Sequence, residues 1–335
     1  TADLGYSFSR PNIVRSNATA AAAAAGIVVF GNGYDSSNGH AVLFILRADT
    51  GELLKRIDTG AATCNGLSSA ITIDVNYDNT VDYVYAGDLN GNLWKFDVSG
   101  AASGAWAVGN AGQPIFTAVR GGVPQPITST PVVLKHPLGG NFITFGTGKF
   151  LETVDTAGPF STQSLYGVYN SAPNGTTVAL GSLVQQIITS TVQGTQPDPD
   201  NPGQFIASGI EYRTGSNNPV DYADGDMGWY MDLPAAGETM PFNPLPTGGQ
   251  VLYNTVIPST NACEFGGESY IMALDPFTGT ASPSGNFDID GDGSFSGPQN
   301  AQVGGVQTAV ASSIGVRSTV GITPTPNVMR VPPNG

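Results

Sequence analysis

Nine consecutive residues concentrate the chemistry of this sequence. In Asp74-Val75-Asn76-Tyr77-Asp78-Asn79-Thr80-Val81-Asp82, oxygen-bearing side chains stand at positions 1, 3, 5 and 9, and Thr80 at position 7 offers a backbone carbonyl. The i, i+2, i+4 spacing winds three short acceptors about one point, where a hard cation such as Ca2+ takes six to eight oxygens. Three carboxylates in so short a turn repel one another, and a divalent cation removes that repulsion. The plainer reading is an Asx-rich turn that caps its own backbone. The flanks, Ala70-Ile71-Thr72-Ile73 and Tyr83-Val84-Tyr85-Ala86, read as strands. The loop is therefore expected to close a β-hairpin rather than to join two helices.

A second stretch, Asp288-Ile289-Asp290-Gly291-Asp292-Gly293-Ser294-Phe295-Ser296, has Asp at positions 1, 3 and 5. Gly293 stands at position 6, where an EF-type loop turns sharply. Ser294 and Ser296 fill positions 7 and 9. Serine at position 9 and Gln299 at position 12 are weaker than carboxylates, so a Ca2+ of lower affinity is expected here. The plainer reading is a flexible Gly/Asp surface loop. Asp221, Asp224 and Asp226 lack the alternate spacing and read as a solvated loop, as do Asp198 and Asp200.

Nothing in the sequence assembles a catalytic centre. Only His40 and His136 are available as bases near neutral pH, and neither sits in a hydrolase or metalloprotease motif. His136 precedes Pro137 and a Gly-Gly pair and reads as a turn or packing residue. Gly146-Thr147-Gly148-Lys149 resembles half a phosphate loop, but Phe150 replaces the Ser/Thr and no helical pattern follows, so it reads as a turn. Cys64 and Cys263 form no Cys-x-x-Cys pair and argue against zinc. Two free buried thiols and one disulfide both remain open.

The elements that must position these loops are short strands. Gly (45) and Pro (24) fill about a fifth of the 335 residues, 40% are apolar and only 11% charged. That composition excludes a disordered polyelectrolyte and disfavours a helical bundle. A net charge of −14, from 26 acids against 12 Lys and Arg, argues against nucleic-acid binding. The apolar run Ala18 to Phe30 is too short to span a bilayer and reads as a buried strand behind an Ala-rich turn. Thr191 to Gly203, with three prolines, and Gly215 to Pro219 read as loops within one fold. The opening Thr-Ala-Asp reads as a domain boundary, with residues 1–335 as a single domain of a longer protein.

A loose repeat sets the architecture: an apolar strand, an Asp-bearing turn, then Gly. Its Asp residues are 49, 97, 232 and 275, so the outer pairs lie 48 and 43 residues apart. A period in the forties is about one four-stranded propeller blade. Irregular spacing keeps a β-sandwich with long insertions as the alternative.

The run Asp82-Tyr83-Val84-Tyr85-Ala86-Gly87-Asp88-Leu89-Asn90-Gly91-Asn92-Leu93-Trp94-Lys95-Phe96-Asp97 resembles the PilY/PilC family of type IV pilus tip proteins. So do Thr128 to Val133, Phe145 to Phe150, Gln163 to Val168 and Gly267 to Asp275, in the same order. The resemblance implies that family's C-terminal domain, a modified seven-bladed β-propeller, in a secreted protein acting at the pilus tip on the outer surface of a Gram-negative bacterium. It implies roles in pilus assembly, opposition to retraction, adhesion and twitching motility. The implied partners are minor pilins, the N-terminal adhesive region of the same protein and a host or surface ligand. The family's calcium loop is similar to Asp74, Asn76, Asp78, Thr80 and Asp82. A second loop of that type falls on Asp288, Asp290, Asp292, Ser294 and Ser296. Some members carry Arg-Gly-Asp; this chain has Arg120-Gly121-Gly122, which does not support integrin binding by that route. The alternatives are a quinoprotein-like propeller dehydrogenase and a carbohydrate-binding propeller. Seven of the 26 acids, the six loop aspartates and nearby Asp88, sit in or beside the two cation loops.

Overall fold

The computed structural model describes residues 1–18, 26–61, 64–171, 176–259, 266–283, 285–295, 299–310, 313–326 and 328. The poly-alanine run at 20–25, Ser296 and Cys263 lie outside these residues. Described helical segments are single 3₁₀ turns, and strands carry the architecture. No described helix is long and apolar enough to cross a membrane.

The strands form mainly antiparallel sheets of unequal size. The first is a four-stranded meander of Asn12–Val14, Ile27–Gly31, Val42–Arg47 and Leu53–Asp58. The second joins Leu67–Ile73, Tyr83–Asp88, Asn92–Asp97 and Ala107–Val108, with Phe116–Thr117 also on Asn92–Asp97. The third runs Val132–Lys135, Asn141–Gly146, Ser164–Asn170 and Gly228–Asp232, ending on Val184–Gln186, which pairs in parallel. The largest has eight strands, among them Gln250–Pro258, Gly267–Leu274, Ser313–Arg317, Phe205–Gly215, Ile188–Pro197 and Gln299–Val303. This is the all-β, irregular propeller that the sequence implies.

Side-chain alternation explains how these sheets stack. In a strand, successive residues point to opposite faces. Val84 and Ala86 enter a core shared with Ile27, Leu43 and Ile45 of the first sheet. Tyr85, between them, enters a different core with Phe145 and Tyr166 of the third. The third sheet repeats the arrangement: Phe145 faces back, while Phe142 packs toward Tyr253 and Met272 of the largest sheet. Each middle sheet is thus apolar on both faces, which is why Tyr83–Asp88 is buried along nearly its whole length. A buried ion pair, Arg213 to Glu238 at 2.6 and 2.9 Å, lies under the ring of Tyr270 in the largest sheet.

Two expectations are revised. Thr191 to Gly203 is not a loop throughout: Ile188–Pro197 is a ten-residue strand paired with Phe205–Gly215. The β-branched residues Ile188, Thr189, Thr191, Val192 and Thr195 favour it, and Pro197 stands only at its last position. The repeat counted on Asp also slips. In the turn after Val42–Arg47, Gly51 N donates to Arg47 O and Arg47 N to Glu52 O. After Gly267–Leu274 the same two bonds run from Gly279 N to Asp275 O and from Asp275 N to Thr280 O. Asp275 therefore occupies the place of Arg47, not of Asp49, and the shared feature is Thr-Gly, with φ of 73° at Gly51 and 70° at Gly279.

Candidate cation-binding loops

Residues 74–82 form the tip of a hairpin, as expected. Leu67–Ile73 pairs with Tyr83–Asp88 in the register Ile73 to Tyr83 and Thr72 to Val84. The tip is organised by its first aspartate. Asp74 accepts the amides of Tyr77 at 2.6 Å and Asn79 at 2.8 Å, one on each oxygen. Asp78 N donates to Asn76 Oδ1, and Asp78 Oδ1 accepts Thr80 N at 2.8 Å. The Thr80 hydroxyl and amide hold the Asp78 carboxyl below its ordinary pKa, so it is ionised. Tyr77 and Asn79 take φ of 63° and 67°, turning the chain where a glycine would be the usual choice.

Asp82, at position 9, is buried and folds back into the loop, accepting Val75 N at 2.9 Å and Asn17 Nδ2 at 3.2 Å. Asn17 also donates to Val81 O and accepts the Thr80 hydroxyl at 2.7 Å. No spacing rule points to Asn17, which lies 65 positions from Asp82; the fold brings it there by pairing Ser16 with Val81.

The second loop repeats the same frame. Asp288 accepts Gly291 N at 2.7 Å and Gly293 N at 2.9 Å, matching Asp74 at positions 4 and 6. Asp292 Oδ1 accepts Ser294 N at 2.7 Å, matching Asp78 at position 7. Gly291 and Gly293 carry the positive φ values, 67° and 86°, that Tyr77 and Asn79 carry in the first loop. The difference is at position 3. Asn76 is exposed, whereas Asp290 is buried and accepts Asn300 N at 2.9 Å and Nδ2 at 3.0 Å on Oδ2.

Only one acidic group converges tightly among the described residues: Asp288, Asp290 and Asp292 each bring a carboxylate oxygen within 4.8 Å of the other two. Asp74, Asp78 and Asp82 do not, because position 3 is Asn76 and Asp82 turns back to Val75. Asp88 belongs to neither loop. It lies at the far end of Tyr83–Asp88, about 17 Å along the strand from Tyr83.

The remaining polar candidates are structural. Asp221 caps Ala223 N and Asp224 N, Asp226 caps Asp221 N, and Asp198 caps Asp200 N. His136 is buried against Tyr169, Tyr222, Phe142 and Phe277, and burial lowers its pKa, so it is neutral. Its Nδ1 accepts Leu138 N, the turn role expected of it. His40 faces Asp58 at 3.2 Å. Lys149 bonds Glu152 and Asp155 of the same loop. Cys64 is an exposed free thiol, not a buried one. Arg120 is tied to Asp232 and lies over Tyr230, while Gly121-Gly122 turn a small hairpin.

Fold and site together define a β-propeller of unequal sheets bearing two Asp-framed loops. The family model described as the PilY1 beta-propeller domain matches residues 1–207, and the chain belongs to that family. A type IV pilus biogenesis factor PilY1 of Pseudomonas aeruginosa strain PAO1 is 33% identical over 317 residues, covering 86% of this chain and 27% of that protein. A PilY1 homologue of Xylella fastidiosa strain Temecula1 is 34% identical over 331 residues, covering 91% and 21%. The crystal structure of the P. aeruginosa PilY1 C-terminal domain aligns with a TM-score of 0.79 at 30% identity, covering 95% of this chain and 67% of that one. The chain spans roughly a quarter of the length of these curated relatives.

Proposed function

We propose that this propeller serves a type IV pilus tip protein, on the bacterial exterior after passage through the periplasm, and that Ca2+ at residues 74–82 pins its hairpin tip. Family membership supports the pilus reading. The observation that carries the calcium reading is the Asp74-framed loop, whose buried Asp82 locks the tip to Asn17. Asp74, Asn76, Asp78, the Thr80 carbonyl and Asp82 supply the oxygens. The domain, residues 1–335, would act with minor pilins and the N-terminal adhesive region, supporting assembly, control of retraction, adhesion to a host or surface ligand and twitching.

A calcium switch works only if a partner distinguishes the bound and free tips. Calorimetric titration of an Asp78→Ala, Asp82→Ala variant with CaCl2 should lose one equivalent, with circular dichroism confirming the fold. Asp78 is exposed, so Asp78→Ala alone provides a variant that folds. Unchanged stoichiometry and affinity in both variants would sink the assignment. The same variants, in cells lacking their own copy, should show reduced surface piliation.

A further inference from the structure

We infer that Asp288, Asp290 and Asp292 form a second Ca2+ centre, on a different sheet from residues 74–82 and independent of them. Three carboxylate oxygens lie within 4.8 Å of one another. Oxygens bound to one Ca2+ at 2.3–2.6 Å lie at most about 4.6–5.2 Å apart, so all three fit one coordination sphere. The independent observation is Asp290. The residue is 1% exposed, and Oδ2 accepts both the backbone and the side-chain amide of Asn300, yet Oδ1 is buried with no hydrogen-bond partner. A buried carboxylate oxygen without a donor is unfavourable, and here two further carboxylates raise the repulsion. A water could donate to Oδ1 but would leave the three negative charges uncompensated. A divalent cation at the focus of the cluster answers both.

The frame for such an ion is built and anchored. Asp288 holds the amides of Gly291 and Gly293, so the three aspartates are presented on a fixed curve. The carbonyl of Ile289, buried between them in sequence, accepts Thr195 N at 2.9 Å, and Asp288 O accepts the Tyr212 hydroxyl at 3.2 Å. The ion would therefore be tied to Ile188–Pro197, Phe205–Gly215 and, through Asn300, to Gln299–Val303. The Ser294 carbonyl and water would complete the oxygen shell.

The test is Ca2+ stoichiometry by calorimetry and metal analysis on the wild type, Asp292→Ala, Asp290→Asn, Asp78→Ala and the Asp78→Ala, Asp292→Ala double variant. Asp292 is exposed, so its variant keeps the readout if the buried Asp290→Asn fails to fold. The expected result is two equivalents in the wild type, one in Asp292→Ala and in Asp290→Asn, and none in the double variant. One equivalent in Asp78→Ala that Asp292→Ala removes supports the second centre whatever the first loop does. A wild type whose bound Ca2+ is insensitive to Asp292→Ala overturns the second centre and leaves the first-loop reading intact. A wild type that binds no Ca2+ overturns both.

Discussion

Asp88 and Asp290 are both buried carboxylates, and their neighbours separate a structural acid from the proposed ligand. Asp88 accepts five bonds: the amides of Asn90 and Asn92, the side chains of Asn65 and Asn92, and the Trp94 indole at 2.8 Å. Asp290 has donors on one oxygen alone. Asp88→Ala should therefore cost about 3 kcal/mol or more in urea unfolding, because several buried donors lose their acceptor at once. Ca2+ stoichiometry should stay as in the wild type. In sequence Asp88 stands only near the first cation loop; its donors come from a turn and a strand on the other end of the hairpin, which spacing does not reveal. His136 was legible as a packing residue, though not its four aromatic neighbours. Burial lowers its pKa below the ordinary 6.5. The unfolded chain thus takes up the proton first, and stability is full above about pH 6.5 and falls as the pH drops toward the folded value. His136→Phe should flatten that dependence, read as urea midpoints near neutrality and at about pH 5.

At the scale of elements, two matching turns carry different loads. Gly51 and Gly279 share backbone geometry, but a Cβ on Gly51 meets nothing within 4 Å, whereas one on Gly279 falls 2.3 Å from Trp229 Cδ2. Gly51→Ala should cost about 1–2 kcal/mol for the left-handed backbone. Gly279→Ala should add about 1–3 kcal/mol of overpacking, seen as a clearly lower thermal midpoint. The hairpin around residues 74–82 was legible because alternating strands flank it. The Ile188–Pro197 strand was obscured by prolines that cluster at its end and just beyond it. Asn17 and Asn300, which brace the two loops, come from segments whose sequence carries no sign of the pairing.

For the whole molecule, the middle sheets are apolar on both faces, so stacking rather than any single hairpin holds the chain together. The repeat period pointed toward blades even though the Asp positions were misaligned by two, because the strand-and-turn unit recurs while its carboxylate moves. The resemblance supplied what the period left open between propeller and sandwich. If each loop binds one Ca2+, as proposed, the formal charge goes from −14 to −10. Ca2+ at 100 times its dissociation constant should stabilise the fold by about 2.7 kcal/mol per site. A calcium titration of the thermal midpoint, reversed by a chelator, measures this; a midpoint indifferent to both would contradict ion binding by the folded state.

The two loops have one property in common that bears on time rather than on affinity. In each, the first aspartate already holds the amides at positions 4 and 6, so the frame stands by the chain's own hydrogen bonds. Ion capture, as proposed, would then need no folding step. A filament tip carrying such loops would register a change in its ionic surroundings without waiting for the chain to rearrange.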